Sequence, residues 1–248
     1  MHLLEFLSAK GTNVPTGAKI MAASRGWGDD LSESRANFAK HAANLWAIKQ
    51  LIQKLLATDL GAFSNSLHLA DGFPIPVGHF RRANFSEVFA GEATDGYCAS
   101  KGESYYGFKG NLLVNADGVI TGITVTQANI DERESLWDLV EGVHGMIIAD
   151  KGLIGAAYQN ELREFTGIDL QTAARSNMEE QRSKKFLKWL TSTRRLVETV
   201  IGQLTERFNI EKVRARKMWY LTNRITKRLF PIQFVLILIK NWQSNASI

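Results

Sequence analysis

At 248 residues, with 45% hydrophobic and 22% charged side chains, the chain can bury a substantial core as one large domain or two modest ones. Its 30 Lys and Arg against 25 Asp and Glu leave a formal charge of +5, which suits a polyanionic partner. A single cysteine, Cys98, excludes an intramolecular disulfide and a cysteine-built zinc centre and agrees with a reducing, cytoplasmic setting. The longest apolar run, 232–239, falls short of the roughly 20 residues that cross a bilayer, so no membrane partner is expected.

Residues 1 to 30 are rich in Gly, Ala and Ser, lack the basic and apolar blocks of a signal peptide, and are expected to form a loosely ordered leader. From Phe38 the positions Phe38, His41, Leu45, Ile48, Ile52 and Leu55 recur at alternating threes and fours, which predicts a helix burying that stripe. The run Ser66 to Asp71 is short, apolar and bounded by Asp-Gly, so it reads as a buried strand ending at Asp71. Residues 73–103 show little periodicity and carry His79, Arg81, Arg82 and Lys101, the mark of a long functional loop.

Tyr106 to Thr126 reads as a hairpin turning at Asn115-Ala116-Asp117-Gly118, with Phe108, Leu112 and Val114 lining one strand and Val119, Ile123 and Val125 the other. Asp131 and Glu134 have the spacing of a capping box before a helix carrying Leu136, Trp137, Leu139 and Val140. A strand from Met146 to Asp150, a helix from Ala156 to Phe165, a stop at Gly167 and a strand from Ile168 to Thr172 follow. A long helix then repeats Leu187, Leu190, Arg194, Val197, Ile201, Leu204 and Phe208 as a heptad with one cation in an apolar slot. The division expected is a mainly helical segment over 1–62, a catalytic domain over 63–230 and a tail over 231–248.

This succession matches an RNase H-like α/β fold, a mixed five-stranded sheet with flanking helices. In such a sheet the first and fourth strands are neighbours, so Asp71 and Asp150, each closing an apolar-Ala-Asp run, can meet at their ends. The long helix can bring Glu198 over them. Three carboxylates on rigid elements are the hard oxygen donors that Mg²⁺ prefers. Two ions held about 3.5 to 4 Å apart can clamp a scissile phosphate for in-line displacement by water or a 3′-OH. Each residue also has an ordinary reading. Asp71-Gly72 and Asp150-Lys151-Gly152 fit turn chemistry, and Glu198 fits a solvent-facing helix residue paired with Arg194 one turn earlier.

The stretches Asp71-Gly72-Phe73-Pro74-Ile75-Pro76-Val77, Gly96-Tyr97-Cys98-Ala99-Ser100-Lys101, Tyr105-Tyr106-Gly107-Phe108-Lys109-Gly110, Ala128-Asn129-Ile130-Asp131-Glu132-Arg133-Glu134, Ala149-Asp150-Lys151-Gly152 and Arg195-Leu196-Val197-Glu198-Thr199 stand in one order. In that combination the sequence resembles the DDE transposases of bacterial insertion sequences. The resemblance implies Asp71, Asp150 and Glu198 as catalytic metal ligands and two Mg²⁺ ions as cofactor, with Mn²⁺ able to substitute. It also implies terminal inverted repeats and target DNA as substrates, a homodimer on the DNA, and a place in the bacterial cytoplasm at the nucleoid.

Contacts to DNA are expected from Arg81, Arg82, Lys151, Arg194 and Arg195, and from a basic stretch that holds Lys212, Arg214, Arg216, Lys217, Arg224, Lys227 and Arg228 with no acid from 212 to 228. A second reading keeps the fold but not the chemistry: a truncated copy that binds only DNA or a full-length partner.

Overall fold

The computed structural model describes residues 40–41, 43–174 and 178–246; the leader expected over 1–30, and Phe38, lie outside them. Six strands form one sheet: β1 (Leu67–Gly78), β2 (Thr94–Cys98), β3 (Glu103–Asn115), β4 (Ile120–Gln127), β5 (Met146–Ala149) and β6 (Asp169–Thr172). Among the described residues it is accompanied by the helices α1 (Trp46–Asp59), α2 (Glu132–Leu139), α3 (Ala156–Thr166), α4 (Lys184–Glu206) and α5 (Met218–Ala246). The strand order is β4-β3-β1-β5-β6, with β1, β3 and β4 antiparallel and β5 and β6 parallel to β1. This is the mixed sheet of an RNase H-like domain.

The sixth strand, β2, lies within the stretch whose sequence reads as an irregular loop. It pairs with the first residues of β3, Glu103 to Gly107, along the edge that β4 takes over from Phe108 onward. β1 also reaches past the expected end at Asp71, as far as Gly78, because β3 pairs with it throughout. Pro74 and Pro76 hide this extension from a sequence reading. They sit at alternate positions, so their nitrogens face the same edge, and beyond Leu69 that side of β1 has no paired strand among the described residues that would need an N–H. Asp71-Gly72 is therefore continuous strand rather than a turn.

Alternation along the strands divides the core in two. On one face Leu69, Phe73, Ile75, Phe108, Leu112 and Ile148 pack with Leu190, Val197, Val200 and Leu204 of α4 and with Leu221, Ile225 and Leu229 of α5. On the other, Ala70, Leu113, Ile147 and Ala149 pack with Leu136 and Leu139 of α2 and Leu162 of α3. Asp71 has the parity of Leu69 and Phe73 and so faces α4. Local chemistry sets the helix ends: Asp131 accepts from the Arg133 amide at 2.9 Å, Ser183 accepts from the Phe186 amide, and Gly167 closes α3 at φ 72.

The first helix exists but is turned relative to expectation. Ile52 and Leu55 are exposed, while Ala43, Trp46, Gln53 and Ala57 are buried. Alternating threes and fours describe more than one stripe of this helix. This stripe packs α1 against α5, where Trp46 meets Trp219 edge-on at 6.4 Å between centroids. α5 itself runs across residue 230 and through Pro231, anchored past the proline by fully buried Gln233, whose amide donates to the Ile120 carbonyl at 2.6 Å. Among the described residues no helix is long and apolar enough to cross a membrane.

Close packing of β1 on β3 rests on glycine. A Cβ at Gly107 would stand 2.3 Å from the Ile75 carbonyl oxygen and 3.0 Å from the Val77 nitrogen, both backbone atoms that cannot swing aside. Gly107→Ala should lower unfolding free energy by about 1–3 kcal/mol, the usual cost of overpacking, measured by urea denaturation.

Candidate active site

β5 pairs with β1 only from Leu67 to Leu69, after which the two parallel strands part. Asp71 lies two residues beyond the last paired position on β1. Asp150 follows the last residue of β5 and opens the short 3-10 turn Lys151–Leu153. α4 crosses this same face, and its Arg194 continues the buried stripe of Leu190 and Val197, with Glu198 one turn further on.

Here the chain gathers charge. The guanidinium of Arg194 contacts Asp150 Oδ1 at 2.8 Å, Asp71 Oδ2 at 3.5 Å and Glu198 Oε1 at 3.5 Å. Three residues that sequence places 48 to 127 positions apart thus meet on one cation. Asp71 is the most enclosed of them, with a side chain 18% exposed, whereas Glu198 is half exposed. Burial raises the Asp71 carboxyl to about 6; Arg194 and the Gly72 amide, which donates to Oδ1 at 2.9 Å, oppose the rise, and Asp150 and Glu198 add to it.

A fourth carboxylate, which sequence reasoning passed over, fills the notch from the other side of the sheet. Glu132 begins α2, and a Cβ added at Gly72 would stand 3.4 Å from its Oε1, one at Gly152 only 2.8 Å from its Oε2. A side chain at 152 would therefore have to push the Glu132 carboxylate aside, whereas at 72 it would only touch it. Lys109 lies 3.5 Å from Glu132, and Asn111, buried beside Gly72, lines the same notch. The signal was present in Asp131-Glu132-Arg133-Glu134, but the capping role of Asp131 accounts for that stretch by itself.

A family model described as the transposase DDE domain matches residues 61–218, from the 3-10 turn before β1 to the first residue of α5. The chain belongs to this family. The match contains Asp71, Asp150 and Glu198 together with the loop that joins α4 to α5. No curated protein matches the chain significantly.

DDE transposase domains generally use a divalent metal, and the side chains present have the chemistry for one: three carboxylates on a strand, a strand end and a helix, converging on one positive charge. Their present spacing is that of a guanidinium complex. Among the described residues no three His, Cys, Asp or Glu side chains stand close enough to hold a metal ion as they are.

The expected DNA contacts fall into groups. Arg194 is in the carboxylate cluster and Lys151 directly follows Asp150. Arg195 is exposed on α4, and Arg81 is exposed in the 3-10 turn Phe80–Phe85; the Arg82 side chain lies outside the described residues. Between α4 and α5, Val213 and Ala215 are buried while Lys212, Arg214, Arg216 and Lys217 face solvent to a greater degree, so the loop presents its cations outward. Two more cations of the basic stretch serve the backbone. Arg224 donates to the carbonyls of Val213 and Arg214, and Arg228 to those of Asn209 and Lys212. They hold the loop in shape, which a reading of charge alone assigns to DNA.

The raised Asp71 carboxyl has a measurable sign. The folded protein keeps this proton to higher pH than the unfolded chain, so ionising Asp71 costs stability as pH climbs from the ordinary carboxylate range through about 6. In EDTA, Asp71→Asn should therefore gain stability over the parent from pH 4 to pH 6 and hold that gain above it, as read by urea unfolding at each pH.

Proposed function

We propose that the protein cuts and joins the ends of an insertion sequence by phosphoryl transfer on DNA, with Asp71, Asp150 and Glu198 as the catalytic carboxylates. The observation that carries this reading is their convergence from β1, the end of β5 and α4 at the point where the parallel strands part. Carboxylates so placed would hold divalent ions, Mg²⁺ or Mn²⁺, which when bound supply a polarised nucleophile and neutralise charge on the phosphate. The chain's own part is to fix the donors: β1 and α4 are rigid elements with packed flanks.

DNA would approach along the face that carries Lys151, Arg194 and Arg195, with Arg81 and Arg82 beyond the end of β1. The loop bearing Lys212, Arg214, Arg216 and Lys217 begins about 12 Å along α4 from Glu198, at 1.5 Å per residue. Outward cations on an extended loop suit phosphate oxygens, which fix register and affinity without reading bases. Joining two ends to one target calls for two copies of the chain on the DNA.

The direct test uses the DNA that flanks the gene as substrate. Asp71→Asn, Asp150→Asn and Glu198→Gln should each reduce strand cleavage at least a thousandfold, as judged on sequencing gels, while duplex binding by gel shift stays within a few fold, since the cations that grip phosphate remain. Parent-like cleavage by any one variant would remove that residue from the catalytic set.

The basic loop is tested separately. Replacing Arg214, Arg216 and Lys217 by Ala should shallow the slope of log K against log[salt] by about 0.9 for each phosphate no longer neutralised. Affinity for flanking and random duplexes should fall alike. A variant whose sole defect was in preferring the end sequence would show the loop reading bases instead.

A further inference from the structure

Arg194 does more than stand near the carboxylates. It occupies an apolar slot of α4, its side chain is three-quarters buried, and its Nε has no hydrogen-bond partner among the described residues. Its two terminal nitrogens reach all three carboxylates at 2.8 to 3.5 Å. A cation that only oriented Glu198 from one turn away would have no need to reach from α4 to Asp71 and Asp150 on the strands beneath it. Two carboxylates on parting strands and a third on a crossing helix repel one another unless positive charge stands between them, and here that charge comes from the chain itself.

We infer that Arg194 is a built-in counter-ion that occupies the metal seat, so that a divalent ion enters by displacing its guanidinium from Asp71, Asp150 and Glu198. This rests on the proposed role of those three as metal ligands. The arrangement holds the carboxylates together around one charge, and it lowers apparent metal affinity to the intrinsic value multiplied by the fraction of time the seat is vacant. The planar fork of arginine matters, because a lysine ammonium is a single point charge and cannot bridge three carboxylates in the same way.

The test titrates Mn²⁺ into the full chain without DNA, counting free ion by its electron paramagnetic resonance signal, for the parent, Arg194→Lys, Arg194→Gln and Asp150→Asn. Arg194→Gln should bind Mn²⁺ tighter by about tenfold or more, corresponding to a seat vacant a tenth of the time or less in the parent. Arg194→Lys should fall between the two. In parallel, the rise in melting temperature on adding Mn²⁺ should be larger for Arg194→Gln than for the parent.

If Arg194→Lys binds as weakly as the parent and only Arg194→Gln gains, the effect is that of net charge and the seat is not occupied as inferred. Equal or weaker binding by Arg194→Gln, with Asp150→Asn impaired, overturns the inference but leaves the carboxylates as ligands. No saturable binding by any variant overturns the ligand assignment itself, and this inference with it.

Discussion

β1 pairs with β3 from His68 to Gly78 but with β5 only from Leu67 to Leu69. Past Leu69 the parallel neighbour turns away, while the antiparallel one continues to hold β1 straight. A notch opens between two strands that remain rigid on their outer sides, and a polar cluster can form there without breaking the ladder that carries it. Asp71 is thus held by a continuous strand, and Asp150 by the short turn after β5. Because alternation turns Asp71 toward the face that α4 covers, a helix laid there by Leu190, Val197 and Leu204 delivers Arg194 and Glu198 with no further device.

Much of this was legible because it rests on short-range patterns. The hairpin, with Asn115 accepting from the amides of Asp117 and Val119, follows from its turn residues, and Gly167 stops α3 as its chemistry requires. The heptad of α4 put Arg194 and Glu198 on neighbouring edges of one buried face. What stayed hidden depends on partners distant in sequence. The two prolines of β1 read as a break because the parting of β5 from β1 after Leu69 cannot be seen from residues 73–103. In α1 two stripes have helical spacing, and only the approach of α5 selects the one carrying Trp46 and Ala57.

Polar side chains were the harder part, since their role is set by what they meet. Arg224 and Arg228 belong by composition to a basic stretch, yet each spends its donors on carbonyls that the loop after α4 leaves without helical partners. Their neighbours Lys212, Arg214, Arg216 and Lys217 point outward because buried Val213 and Ala215 alternate with the cations at 212, 214 and 216. Counting charge treats all of these residues alike, whereas the fold divides them into cations that shape a surface and cations that form it.

Glu132 shares its space with Gly72 and, more tightly, with Gly152. The volume beneath the notch is one parcel divided among three positions on three separate elements. Evolutionary drift at 152 is therefore tied to 132: a lineage that acquires a methyl group at 152 has to shorten or redirect the side chain at 132. Positions 132 and 152 should accordingly co-vary among relatives, although they stand twenty residues apart.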